Sequence, residues 1–209
     1  MIKVILCDDH AVVRRGIRDT ISEAVDIQVV GEAGSYPELR EQMRKTLCDV
    51  LVLDLNMPGR GGLEVLAALR EEGSPVKTLV VSMYPEDQYA IRCLRAGARG
   101  YLNKAGEPAE MIAAIRTVHQ GRKYVTPDVA QMLVDNLNAP ETEELHASLS
   151  ERELQTLQLI ASGKKLSDIA EELMLSPKTV SVYRARVLEK LHLANNAELT
   201  VYAIRNSLV

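Results

Sequence analysis

Val50-Leu51-Val52-Leu53-Asp54-Leu55-Asn56-Met57-Pro58-Gly59 sets four consecutive apolar residues against a carboxylate and a proline-glycine turn. An unbroken apolar run of this length, bounded by turn residues, reads as a strand buried on both faces; a half-exposed strand would alternate. Runs of the same kind lie at 2–7, 27–31, 78–81 and 100–102. Between them, 11–24, 37–45, 62–72 and 86–96 carry apolar residues at spacings of three and four, and 109–120 does so after the last run. That is the period of an amphipathic helix. Strand and helix in alternation specify an α/β domain: a doubly wound, five-stranded parallel sheet with helices on both faces.

The alternation ends near residue 121. A short helical pattern at 128–137 is followed by Asn138-Ala-Pro-Glu-Thr-Glu-Glu, a polar, acidic, proline-bearing stretch with the composition of a linker. Beyond it the patterns at 151–162, 166–173, 177–191 and 196–206 are all helical. Ser150 followed by Glu153 is a capping-box arrangement, and Ser176-Pro177 sets a cap before a proline at the first helical position. The expected organisation is an α/β domain over 1–121, a helix plus linker over 122–147, and a small all-α domain over 148–209.

The charge divides along the same line. Residues 1–147 hold 17 basic against 22 acidic side chains, and residues 148–209 hold 8 against 7. A formal net charge of −4 gives no general affinity for nucleic acid, so any such role needs a local basic patch. One exists between Ser176 and His192, where Lys178, Arg184, Arg186 and Lys190 face only Glu189. Cys7, Cys48 and Cys93 are odd in number and lack metal-ligand spacing, which argues against a disulfide framework and fits reduced thiols in the cytosol. The amino terminus lacks the apolar length of a signal peptide and no run is long enough to span a bilayer, so a soluble, cytoplasmic protein is expected.

In an open parallel sheet, reactive groups gather at the carboxyl ends of the strands. Those positions hold Asp8 and Asp9, Asp54, Ser82 and Lys104. Carboxylates packed together need a proton or a cation, and hard oxygen donors favour Mg²⁺. With the negative charge offset, Asp54 is placed to attack phosphorus while Lys104 and Ser82 hold phosphoryl oxygens, leaving an acyl phosphate. Taken singly, each residue has a plainer reading. Asp8 or Asp9 could cap the helix beginning near Ala11, Ser82 could be a turn residue, Tyr101 a strand aromatic and Lys104 a solvated cation. Their coincidence at strand ends favours a site.

Asp8-Asp9-His10, Leu53-Asp54-Leu-Asn-Met-Pro58-Gly59, Ser82, and Ala96-Gly97-Ala-Arg-Gly100-Tyr101-Leu-Asn-Lys104 together resemble the receiver domain of response regulators. The resemblance covers about the first 120 residues. It implies a flavodoxin-like fold, Asp54 as phospho-acceptor, Mg²⁺ held by Asp8, Asp9 and Asp54 with the backbone carbonyl of Asn56, and Ser82 with Tyr101 as the pair that reports phosphorylation. Two positions depart from the family pattern. Ala105 stands after Lys104 where proline is frequent, which leaves that loop's conformation open, and Ser82 replaces a commoner threonine while keeping the hydroxyl.

On the helix expected at 177–191, Val180, Tyr183, Val187, Leu188 and Leu191 form an apolar stripe. Lys178, Ser181, Val182 and Ala185 lie opposite, flanked by Arg184 and Arg186. Small residues edged by cations suit close approach to a groove, with charges on phosphates and short side chains on base edges. The plainer reading is a solvated charged helix face. Leu149-Ser-Glu-Arg-Glu153, Ile169-Ala170-Glu-Glu-Leu173, Ser176-Pro-Lys-Thr-Val180 and Lys190-Leu191 resemble the LuxR-type helix-turn-helix of the NarL/FixJ family. That implies 166–173 as scaffold helix, 177–191 as recognition helix, and Lys178, Thr179, Ser181, Val182, Arg184 and Arg186 as DNA contacts. Ser181 and Tyr183 stand where family members often have a cation and a histidine, so base preference does not carry over.

The resemblance implies a transcription factor phosphorylated on Asp54 by a sensor histidine kinase, or by acetyl phosphate, and binding double-stranded promoter DNA as a homodimer through 196–206. Exposure of Val201 and Leu208 would support that dimer. No enzymatic turnover beyond slow autodephosphorylation is expected. Haloacid-dehalogenase-type phosphatases share the aspartate, hydroxyl and lysine, but they carry a second aspartate two residues after the nucleophile. Asn56 occupies that position and cannot act as acid or base. A regulator that binds DNA without phosphorylation, using its receiver to dimerise or to dock a partner, stands as the alternative.

Overall fold

The computed structural model describes residues 1–138, 145–206 and 208–209. The chain forms two compact units, Met1–Ala139 and Pro140–Val209. Most of the expected linker, 139–144, lies outside the described residues.

In the first unit, β1 (Ile2–Cys7), β2 (Ile27–Ala33), β3 (Val50–Asp54), β4 (Lys77–Ser82) and β5 (Gly100–Asn103) form one sheet in the order β2-β1-β3-β4-β5. Every pairing is parallel. The helices α1 (Ala11–Ser22), α2 (Tyr36–Lys45), α3 (Gly62–Glu71), α4 (Glu86–Ala96) and α5 (Pro108–His119) connect and follow the strands. All five residues of β3 are buried, as the unbroken apolar run demands of a central strand. Side chains alternate between faces. Val4, Leu6, Val50, Val52, Leu79, Val81 and Leu102 form one core with Ile21 of α1 and Ile115 and Val118 of α5. Each buried aliphatic side chain stabilises by roughly 1.5–3 kcal/mol relative to exposure.

Four strands run further than the apolar runs alone predict: β2 to Ala33, β3 to Asp54, β4 from Lys77 to Ser82 and β5 to Asn103. Asp54 and Ser82 are the last residues of β3 and β4, because ladder pairing continues through Asp54–Val81 and Ser82–Asn103. The polar side chains are thus carried by the rigid sheet rather than by the loops beyond it. A further helix, α6 (Pro127–Asn138), belongs to this first unit and packs on α4. Val129 is buried there, and the Thr126 hydroxyl donates to Glu86 Oε2 at 2.6 Å. The sequence placed this helix between the domains; its apolar face is instead covered by the receiver-like unit.

The second unit contains a 3-10 turn (Leu145–Ser148) and then α7 (Glu151–Ala161), α8 (Leu166–Glu172), α9 (Pro177–Lys190) and α10 (Asn196–Arg205). Both expected caps form. Ser150 Oγ accepts from the Glu153 amide at 3.4 Å while Glu153 Oε2 accepts from the Ser150 amide at 2.8 Å, closing the capping box. Ser176 Oγ accepts from the Thr179 amide at 3.1 Å. Between α8 and α9 the chain turns through Met174, a non-glycine residue in the left-handed region with φ 54°. Buried Ile169, Val180, Val187, Leu191 and Leu199 supply the core.

Candidate functional site

Four strand ends converge as the topology requires. Asp8 and Asp54 are each 3% exposed, and the Lys104 ammonium lies between them, 2.6 Å from Asp8 Oδ2 and 3.0 Å from Asp54 Oδ1. The contact to Asp8 is an ion pair at close range without hydrogen-bond alignment. Asp8 Oδ1 accepts from the His10 amide at 2.7 Å, and the Arg14 guanidinium donates to the Asp8 carbonyl at 2.5 Å. Residue His10 itself holds the N-cap position of α1 without a capping side chain, so Asp8 shapes the turn ahead of the helix rather than capping it. His10 Nδ1 is 2.7 Å from Asp9 Oδ1. Ligand atoms of Asp8, Asp9, His10 and Asp54 all lie within 4.8 Å of one another.

Burial pushes the Asp54 carboxyl above the ordinary aspartate value, and the Asp8 charge adds to that; Lys104 and the Asn56 amide pull the other way without cancelling it. Among the described residues, Asp54 Oδ2 and Asn56 Oδ1 are buried acceptors with no hydrogen-bond partner. Three carboxylates facing one ammonium, with buried oxygens left over, fit a hard divalent cation. Behind the carboxylates the Cys7 thiol lies 3.3 Å from Met57 Sδ. Burial first, then the Asp54 and Asp8 charges, push that thiol up to about 12, so Cys7 is an inert packing group and not a nucleophile.

A crevice of about 200 Å³ is lined by Asp54, Asn56, Ser82, Tyr84 and Lys104. Ser82 is fully buried at the end of β4, and its Oγ accepts from the Tyr84 amide at 3.3 Å. The Tyr84 carbonyl accepts from the buried Tyr101 hydroxyl at 2.9 Å and from Asn103 Nδ2 at 3.3 Å. Ser82 and Tyr101 are therefore linked through one loop residue, Tyr84. Asn103 also settles the loop after Lys104: its Oδ1 accepts from the Ala105 amide at 2.8 Å, and no peptide bond among the described residues is cis. Glycine is required at position 62, where a Cβ would stand 2.6 Å from the Asp54 carbonyl oxygen and 2.7 Å from Leu55 Cα. The close approach of α3 holds the Asp54 strand end in place.

On α9, Val180, Val187 and the following Leu191 are buried, with Tyr183 and Leu188 half-buried. Lys178, Ser181, Val182, Ala185 and Arg186 are exposed together. Thr179 and Ser181 are partly committed within the helix: the Thr179 hydroxyl lies 2.7 Å from Ser176 Oγ, and the Ser181 hydroxyl donates to the Pro177 carbonyl at 2.9 Å. The Arg184 Nε donates to Asn196 Oδ1 at 2.5 Å, which ties that cation to the start of α10.

A family model described as "Response regulator receiver domain" matches residues 4–116, and one described as "Bacterial regulatory proteins, luxR family" matches residues 147–203. The chain is a NarL/FixJ-family response regulator. It is 41% identical over its full length to "Response regulator UvrY" of Escherichia coli (strain K12), covering 96% of that protein. It is 40% identical over its full length to "Response regulator GacA" of Pseudomonas protegens, covering 98% of it. Among solved structures it resembles RcsB from Salmonella enterica serovar Typhimurium bound to promoter rprA in the presence of phosphomimetic BeF3-, with TM-score 0.62 and 25% identity over 96% of this chain and 97% of that one.

In this response regulator the sheet brings Asp8, Asp9, Asp54, Asn56, Ser82 and Lys104 to one end, while Tyr101 lies beneath the β4–α4 loop. Sequence reasoning assigned no role to His10, Arg14, Tyr84 or Asn103. His10 stood in plain view beside Asp8-Asp9, but its turn toward Asp9 depends on backbone geometry. The others act through carbonyls and amides, which leave no residue-type signature.

Proposed function

We propose that this response regulator is a phosphorylation-switched transcription factor. A sensor histidine kinase, or acetyl phosphate, donates a phosphoryl group to Asp54, and the helix-turn-helix unit then binds double-stranded promoter DNA as a homodimer in the cytoplasm. The observation that carries this reading is Lys104 Nζ held 2.6 Å from Asp8 and 3.0 Å from Asp54 in a buried crevice with spare carboxylate oxygens.

Asp8, Asp9 and Asp54, with the Asn56 backbone carbonyl, would hold Mg²⁺, which when bound offsets carboxylate charge and draws in phosphoryl oxygens. Asp54 supplies the attacking oxygen. The bond from phosphorus to the donor, P–N in a phosphohistidine and P–O in acetyl phosphate, breaks as the Asp54 oxygen–phosphorus bond forms, and the donor nitrogen or oxygen takes the leaving electron pair. Lys104 and Ser82 then offer an ammonium and a hydroxyl to the new phosphoryl oxygens. Asn56 cannot act as a general acid or base, so hydrolysis is slow and the chain is a switch rather than an enzyme. Movement of Ser82 toward the phosphoryl group pulls on Tyr84, and through it on Tyr101.

On DNA, exposed Lys178 and Arg186 suit phosphates, Ser181 and Val182 suit base edges, and Thr179 and Arg184 act chiefly by fixing the two ends of the reading surface. The test is phosphate-transfer labelling with Mg²⁺, followed by titration on a selected-oligonucleotide pool, with wild type and Asp54→Asn side by side. Label confined to wild type, with DNA affinity raised by labelling, is expected. Equal affinity with and without label would overturn the switch in favour of phosphorylation-independent binding. No DNA binding in either state would overturn the transcriptional role.

A further inference from the structure

At the opposite end of the receiver sheet lies a cleft of about 590 Å³ lined by Arg70, Lys77, Arg95, Arg99 and Lys123. No carboxylate among the described residues lines it. The acidic crevice and this cleft sit at the two ends of β4, whose first residue is Lys77 and last is Ser82, roughly 16 Å apart at strand rise.

Elsewhere on this acidic unit several cations have carboxylate partners. Arg18 pairs with Glu32, Arg40 with Glu72, Lys45 with Glu41 and Arg116 with Asp26. In the cleft, Arg70 donates to the Arg95 carbonyl at 3.0 Å and Lys77 to the His119 carbonyl at 2.5 Å. The side chains of Arg95, Arg99 and Lys123 have no hydrogen bond or ion pair among the described residues. Arg70 and Arg95 stand in the last turns of α3 and α4, where a cation offsets the helix dipole. Arg99 and Lys123 belong to no helix, so that account does not reach them. Like charges gathered without counterions oppose folding, and a site for an anion is what such a cluster accomplishes.

The walls narrow the class of anion. Exposed Pro75 and half-buried Val76 give it an apolar wall over the buried Leu66, Leu69 and Leu94, and Ser74 supplies a hydroxyl. Guanidinium forks grip phosphate oxygens two at a time, an ammonium adds a point charge, and an apolar wall accepts a flat ring. We propose that this cleft binds a small ligand with at least two linked phosphate groups and a ring, the nucleoside di- or triphosphate class. A concave, partly apolar site of this volume suits a small molecule better than a DNA backbone, which needs an open stripe of charge.

The test is isothermal titration of the full chain in Mg²⁺-free buffer at about 150 mM salt, where loose counterion attraction is screened within about 8 Å. The probes are inorganic pyrophosphate, ATP and AMP. Saturable one-to-one binding of pyrophosphate and ATP is expected, with AMP weaker by about tenfold or more. Arg99→Ala with Lys123→Ala should weaken ATP binding by about tenfold or more, as should Arg95→Gln alone in direction, because each removes charged hydrogen bonds. Arg15→Ala, which removes a cation on exposed α1, should leave it unchanged. Absence of saturable binding by either phosphate probe overturns the proposal, and so does equal weakening by Arg15→Ala. A DNA duplex that perturbs the backbone amide resonances of Arg95, Arg99 and Lys123 where pyrophosphate does not would also overturn it, in favour of a nucleic-acid surface.

Discussion

Lys104 carries one positive charge between two buried carboxylates, so the crevice is held together by a group that cannot neutralise it. The sign of the Asp54 contribution follows. Its folded carboxyl titrates above the ordinary value, chiefly from burial, so the stability it lends is full below the unfolded value and is lost as pH rises through the folded one. At neutral pH an ionised Asp54 therefore opposes folding. Asp54→Asn should be more stable than wild type by about 1–3 kcal/mol at pH 7 without metal, and the gap should close as the pH falls through the raised value. Urea denaturation across that range measures it. Adding Mg²⁺ should stabilise wild type and leave the variant nearly unmoved.

At the scale of elements, two junctions carry the geometry. The approach of α3 to the end of β3 leaves no room at Gly62, so Gly62→Ala should push the Asp54 strand end aside. A stability loss of about 1–3 kcal/mol, as in other overpacked sites, is expected together with slower phosphate labelling. In the second unit Glu153 lies almost wholly buried, its Oε2 2.6 Å from the Lys190 ammonium. Burial would raise its carboxyl, but Lys190 and the Ser150 amide outweigh that and hold it below the usual range. Its stabilisation is present above the unfolded carboxylate value and lost as pH falls through the lowered one. Lys190→Met should cost about 1 kcal/mol at neutral pH, discounted because Lys190 is partly solvated, and wild type and variant should converge in acid. The strands were readable because central parallel strands must be apolar throughout, and the helix starts because caps are spelled in residue types. Strand ends at Asp54 and Ser82 were not, since ladder pairing extends polar residues that periodicity leaves out. Nor was the docking of α6 on α4, which an amphipathic pattern cannot assign to one domain or the other.

For the whole molecule, the dimer proposed for DNA binding needs an apolar surface, and α10 offers one in altered form. Val201 is 48% exposed as anticipated, but Leu208 is half-buried, its amide donating to the Ala203 carbonyl at 2.9 Å; Ile204, 61% exposed, stands beside Val201 instead. The foldback after α10, invisible to a periodic reading, makes that exchange. Val201→Asp with Ile204→Asp should abolish the DNA-bound dimer in sedimentation and raise the DNA dissociation constant by about tenfold or more, while labelling of Asp54 proceeds at the wild-type rate. In the proposed switch, the spread of the phosphoryl signal through a population would turn on a single oxygen. The Tyr84 carbonyl serves both Tyr101 and Asn103, so a loop displaced part-way would loosen two donors at once, with the larger cost at the buried Tyr101 hydroxyl. Halfway positions would be disfavoured by that double loss, and the loop would behave as a latch with two rests. A rising stimulus would then recruit more molecules into the active form without making any one of them more active, and promoter output would follow a head count.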